Sequence, residues 1–202
     1  CHGEVLKHYE ASDHGKALAA GVKGAPTCSG CHSEHNVRLV ADTSAPTSRT
    51  NQAAMCMKCH LDDPAVRARV GPQGGFISSY ENSVHGTAIK MGSTAAATCS
   101  DCHGSHEMRK GANPSSQVAK ANIATTCGRC HTGIRDQYTY SIHGVALAGG
   151  VTASATCTDC HGEHNILRHS DPKASIAPQN VSAQVCSPCH ASVKLAAKYG
   201  LS

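Results

Sequence analysis

Six times along this chain two cysteines stand three positions apart with a histidine directly after the second. The sets are Cys28, Cys31 and His32; Cys56, Cys59 and His60; Cys99, Cys102 and His103; Cys127, Cys130 and His131; Cys157, Cys160 and His161; and Cys186, Cys189 and His190. Two thiols so spaced on one turn can form thioethers to both vinyl groups of a single porphyrin, and the adjacent imidazole then lies under the iron as its proximal ligand. Zinc sites also use Cys-x-x-Cys, but they need two pairs per tetrahedral ion and no histidine behind each pair. Disulfide scaffolds require no histidine at all. Six motifs in register therefore point to covalent haem c. Cys1-His2 reads as the tail of a seventh motif, because His2 stands as far before Tyr9 as His131 does before Tyr138. Six haems are thus required by complete motifs and a seventh is expected at Cys1, with His2 as its proximal ligand.

Eight histidines remain for the distal side: His8, His14, His35, His85, His106, His143, His164 and His169. Six of them recur as one His-Gly (His14, His85, His143) and one histidine three residues behind a first motif (His35, His106, His164) in each repeat. That matches two haems per repeat one for one, enough to close every iron. His35 cannot travel around the macrocycle whose proximal face His32 occupies, so it must serve a different iron; the same holds for His106 and His164. His8 and His169 stand outside this pairing and read equally as surface histidines. Met55, Met57, Met91 and Met108 hold no equivalent repeat positions and read as packing residues.

The elements that position these groups repeat as well. Three units open at Tyr9, Tyr80 and Tyr138 with Tyr-x-x-Ser-x-His-Gly, run through a Gly/Ala/Ser/Thr-rich linker to a first motif, and close on a second motif. The chain divides into residues 1–8, the tail of a preceding unit, and repeats 9–60, 80–131 and 138–190, each holding two haems. The linkers are expected as loops. Asn51, Asn122 and Asn180 are expected to cap short helices carrying the second motifs, with another helix over Ala191 to Tyr199. The recurring tyrosines are expected to pack on porphyrin faces. Strand signals are nearly absent, so the fold class is mainly α with extensive coil, built from repeats and wrapped around a linear haem array.

Composition agrees with that architecture. Of 202 residues none is Trp and one is Phe, against 13 Cys and 15 His, so side chains alone supply little large apolar surface and the porphyrins must act as core. The net charge of +4 is dispersed and gives no platform for nucleic acid. With seven haems, propionates and ferric iron would bring it to about −3. No run of apolar residues is long enough to span a membrane.

These paired Cys-x-x-Cys-His motifs resemble those of multihaem c-type cytochromes, including surface cytochromes of metal-reducing microbes, some of which polymerise into haem-lined filaments. The resemblance covers essentially the whole chain. It implies haem attachment after export, a periplasmic, extracellular or cell-surface location, and electron transfer with redox partner proteins or extracellular acceptors. It also implies identical subunits as partners if the chain is of the filament kind. No Cys-x-x-Cys-Lys variant marks a catalytic haem, so the expectation is a conduit and not an enzyme.

Overall fold

A computed structural model describes residues 2–70 and 72–200, and for 72–76 the backbone alone. Among them are thirteen short α-helices and no strand. The helices are α1 (Gly3–Ala11), α2 (Asp13–Ala19), α3 (Cys28–His32), α4 (Gln52–His60), α5 (Pro64–Val70), α6 (Val84–Lys90), α7 (Cys99–His103), α8 (Ile123–Cys127), α9 (Thr132–Tyr140), α10 (Ile142–Ala148), α11 (Cys157–His161), α12 (Ser187–His190) and α13 (Val193–Tyr199). A 3-10 helix (Pro72–Asn82) precedes α6, and a π-helical turn (Val181–Cys186) precedes α12. The fold is mainly α with much coil, as the missing strand signals predict.

Each Tyr-x-x-Ser-x-His-Gly sequence builds one sharp helix-to-helix corner. The serine ends one helix and caps the next: Ser12, Ser83 and Ser141 each accept from the backbone N–H of Gly15, Gly86 and Gly144, at 3.0, 3.1 and 3.2 Å. The same hydroxyls donate to the carbonyls of Tyr9, Tyr80 and Tyr138, at 2.6 to 2.7 Å. The corner is so tight that a Cβ on any of the three glycines would sit 2.0 to 2.1 Å from that tyrosine oxygen. Glycine is therefore demanded here by close backbone approach. The expected loops after His-Gly accordingly begin as seven-residue helices, α2, α6 and α10, because the serine cap outweighs the low helix propensity of one glycine.

The tyrosine hydroxyls reach seventeen residues onward. Tyr80 donates to the Ala97 carbonyl at 2.7 Å and Tyr138 to Ala155 at 2.8 Å, and Tyr9 donates to Pro26. Each bond pins the chain two residues before a first-motif cysteine. Partial burial raises all three phenols, with Tyr80 pushed up to about 12, so each keeps the proton it donates.

Between first and second motifs the backbone forms a spiral of turns with a three-residue period. In the second unit Asn113, Ser116, Ala119 and Asn122 N–H groups donate in turn to Lys110, Asn113, Ser116 and Ala119 carbonyls; the runs ending at Asn51 and Asn180 do the same. Small residues on the inside of the spiral are buried: Ala45, Ser48, Ser116, Ala119, Ala174 and Ala177. The closing asparagines stand at helix starts as expected but do not cap them with their side chains. Their Nδ2 groups turn back and donate to two spiral carbonyls each, such as Pro114 and Ser116 for Asn122, both at 2.8 Å. One of each pair, such as Ser116, already accepts a spiral N–H and gains a second donor.

Large side chains contribute little to the interior. Among the described residues the buried hydrophobics are four alanines with Met57, Ile89 and Ile123. Met57 packs as expected, whereas Met91 is exposed because it ends α6 on its outer side. The polypeptide exposes 12823 Å², against roughly 9,000 Å² for a compact globular protein of this mass.

Candidate haem sites

Five pairs of imidazoles face one another at a nearly constant separation. His14 and His60 lie 5.9 Å apart between ring centroids, His32 and His106 6.0 Å, His85 and His131 6.2 Å, His103 and His164 5.9 Å, and His143 and His190 6.1 Å. Van der Waals stacking would bring rings closer. One metal ion bonded to both rings, with metal–nitrogen bonds of about 2 Å, sets their centroids about 6 Å apart. In every pair one member is a motif histidine, with its two cysteines on the same turn. Thiols and imidazoles therefore fit haem c with two histidine ligands.

The pairs fall into two kinds. Those joining a second-motif histidine to the His-Gly of the same unit are tilted, at 52°, 56° and 62°. Those joining a first-motif histidine to the histidine behind the next unit's first motif are almost parallel, at 16° and 8°. His106 and His164 therefore face the preceding unit's first-motif histidine and not their own.

Electrostatics favour ligation. Burial, then the neighbouring His164 and His60, hold His103 down to about 4, and burial also lowers His14, His32, His60, His85 and His164. Neutral imidazole is the form that binds a metal. Nδ1 of His164 is buried with no hydrogen-bond partner, a placement costing about 1–3 kcal/mol unless another interaction holds the ring. Among the described residues no group of three or more His, Cys, Asp or Glu converges as a zinc site requires.

Thiols of successive motifs are neighbours in chain order. After burial, Cys59 is the next cause raising Cys31, and the thiols of Cys56 and Cys99, and of Cys127 and Cys157, are close enough to shift one another. Cys130 lies within reach of Cys102, as Cys186 and Cys189 do of Cys160. The first-motif helices α7 and α11 are held by Asp101 and Asp159, whose carboxylates accept from the backbone N–H of Thr98 and Thr156, both at 2.7 Å.

Not every candidate is brought to a partner. Cys1 lies outside the described residues, and His2 is exposed before α1. His8 and His169 are exposed, and neither faces another imidazole among the described residues. His35 has a side chain 98% exposed, and His161, lowered by burial and by His131, faces no distal imidazole among the described residues. Five of the expected imidazole pairings form among the described residues, and His35 and His161 stand outside them. The reason is the stagger, since a histidine that faces the preceding unit leaves the first unit with a spare histidine and the third with a spare motif histidine. The tyrosine staple and the three-residue spiral escaped sequence reasoning, although the constant seventeen-residue offset and the small-residue period signal them.

Helices with no strand among the described residues, carrying thiol pairs and facing imidazoles that each fit one porphyrin, are the pattern of multihaem c-type cytochromes. The chain is accordingly similar over 191 residues to multiheme cytochrome MtrA of Shewanella baltica, at 27% identity, covering 90% of this chain and 46% of that protein. Over 194 residues it is 24% identical to C-type polyheme cytochrome OmcC of Geobacter sulfurreducens, covering 82% of this chain and 23% of that one. Relatives of this kind along most of its length support a multihaem c-type cytochrome family for the chain. It spans less than half the length of either. A shorter likeness, 32% over 90 residues, links 45% of the chain to chaperone protein DnaJ of Lachnospira eligens. No family model matches the chain, and no solved structure does.

Proposed function

We propose that this chain conducts electrons along a line of c-type haems ordered as their motifs are in the sequence. The observation that carries this reading is the five imidazole pairs near 6 Å, each including a histidine directly behind a pair of cysteines. Haem c supplies an iron that takes up and returns one electron. The residues assigned to it are the motif cysteines as tethers, the motif histidines as proximal ligands, and His14, His106, His85, His164 and His143 as distal ligands. Two imidazoles per iron exclude small ligands and favour low potentials, and adjacent thiols in chain order keep neighbouring porphyrins within tunnelling reach. The division into repeats 9–60, 80–131 and 138–190 belongs to the same proposal, with each repeat holding two haems.

The proposed setting is periplasmic or extracellular, where c-type haems are attached after export. Among the described residues no helix is long and apolar enough to cross a membrane. Redox proteins or extracellular acceptors are the proposed partners. Intact mass and pyridine-haemochrome absorbance test the reading, with at least six covalent haems expected. A porphyrin-free mass, or zinc in the metal analysis, overturns it. A second reading, catalysis at an open iron, is favoured by one observation, the missing partner of His161. Cyanide binding accompanied by turnover of a small nitrogen oxide would support that reading against the conduit.

A further inference from the structure

Directly before the second cysteine of the three first motifs stand Gly30, Asp101 and Asp159. Asp101 folds back on its own helix, where its carboxylate accepts from the Thr98 N–H at 2.7 Å and from the Thr98 hydroxyl at 2.8 Å. Arg49 of the first repeat reaches across the first junction between repeats to the same carboxylate, at 2.9 Å. Asp159 repeats the arrangement with Thr156, at 2.7 and 2.8 Å, and with Lys120 of the second repeat at 3.3 Å. Carboxylates that accept from such donors stay ionised at neutral pH. Both motifs therefore carry a fixed negative charge one residue from a haem tether.

That charge reaches the tethers. Burial and then Asp101 push up the Cys102 thiol, and burial and then Asp159 push up Cys160; Arg129 opposes Asp101 at Cys102, less strongly. At Cys31 burial is followed by the thiols of Cys59 and Cys28 instead. The first repeat nevertheless has the frame for a carboxylate. Thr27 stands in the place of Thr98 and Thr156 with the same extended backbone, and a Cβ built on Gly30 would meet only ordinary contacts, the nearest at 3.7 Å on the Pro26 side chain. Glycine is not imposed there by backbone or space. The sites of His32 with His106 and His103 with His164 match in ring separation, 6.0 and 5.9 Å, and both are almost parallel. Two sites alike in ligands and ring geometry thus differ by one carboxylate.

We propose that Asp101 and Asp159 set the potentials of the haems tethered by their own motifs, each carboxylate lowering the midpoint at which that iron takes up its electron, and that Gly30 leaves the His32 haem without this lowering. The inference rests on the reading of the motifs as haem sites. Ferric haem carries one positive charge more than ferrous, so an adjacent anion favours the oxidised form, and more strongly where the surroundings exclude water. Arg49 and Lys120 moderate the effect, each cation cancelling part of its partner's field. Because both cations come from the preceding repeat, the packing of one repeat on the next adjusts the potential of the later site.

The test is an optical redox titration of the haem-loaded chain, read as the sum of the midpoints of all its haems, so that one displaced haem registers whatever the order of the others. Asp101→Asn keeps an oxygen that accepts from Thr98 and removes the charge, and it should raise the sum by at least roughly threefold in a one-electron equilibrium, about 28 mV. Asp159→Asn should do the same. Gly30→Asp, which removes no native contact, should lower the sum by a similar amount. Arg49→Met should also lower it, the opposite sign to Asp101→Asn, whereas a merely loosened cap or junction would move those two variants the same way. The proposal is overturned by an Asp101→Asn chain whose sum stays or falls, by a Gly30→Asp chain whose sum stays or rises, or by an Arg49→Met chain whose sum fails to fall. Intact mass is read first. A chain without haem defeats the proposed function, whereas a fully loaded chain giving any of these results defeats only the potential-setting role.

Discussion

His85 with His131, and His103 with His164, are pairs of the same chemistry made in different ways. The first lies within one repeat, with its rings tilted at 56° and the His85 side chain held by the Ser83 and Gly86 corner. The second bridges two repeats with rings 8° from parallel, and depends on a backbone bond, Val84 to Ile166, and an ion pair across the junction. The tilted site needs only its own repeat to be complete. The parallel site is where one repeat meets another, so the ligand that finishes it also sets the register between units. Closure within a repeat and register between repeats are thereby divided between two kinds of imidazole pair in one chain.

The largest effect should come from breaking the local site. Gly86→Ala places a methyl group 2.1 Å from the Tyr80 carbonyl oxygen, and the corner must open, at a cost of about 3 kcal/mol, the upper end for overpacking. Thermal unfolding should register that loss, and the His131 haem should turn partly high spin. Next is His164→Ala, expected to leave the His103 haem high spin and cyanide-accessible while tilted-pair signals persist. Low-spin spectra of the parent should resolve two classes, because the angle between imidazole planes sets the splitting of the iron d orbitals. A single class would erase the comparison.

Smaller changes sharpen it. Ser33 holds φ 69° where the other two repeats have Gly104 and Gly162, at 81° and 79°. Ser33→Gly should therefore stabilise the chain by about 1 kcal/mol in thermal or denaturant unfolding. Arg49→Ala removes a half-exposed ion pair at the first junction and should cost less than about 1 kcal/mol, shrinking further in high salt. A salt-independent loss would mean that the hydrogen bond from Arg49 to the Ala96 carbonyl, at 2.6 Å, dominates.

Much of the chemistry was legible in the residues, because thioether attachment and proximal ligation are local and Cys-x-x-Cys-His states them in five positions. Helices at the second motifs and over α13 followed from Ala-rich runs, and α13 begins behind Ser192, whose hydroxyl accepts from the Leu195 N–H. The deduction that His35, His106 and His164 must leave their own haem came from ring geometry, and the pairs of His106 and His164 with preceding repeats agree with it. What could not be read was the direction of that departure, since nothing local distinguishes the preceding repeat from the following one. The linkers behind Gly15, Gly86 and Gly144 looked like loops, yet each begins as the end of a helix whose glycine lets two helices touch. The tyrosines resembled porphyrin-packing residues, since only the fold reveals a carbonyl seventeen residues away.

The stagger has a consequence for the order of events as the chain emerges from export. His14 precedes Cys56, Cys59 and His60, so a tilted site of the proposed assignment has its distal imidazole available when its tethers emerge. His106 follows Cys28, Cys31 and His32 by more than a whole repeat, so each parallel site of that assignment must wait, tethered and half-ligated, until the next repeat has emerged. The time between those two events, longest for the sites finished last, is the interval in which such a haem is open to stray ligands, and a chaperone or attachment enzyme guarding these cytochromes would have to act within it.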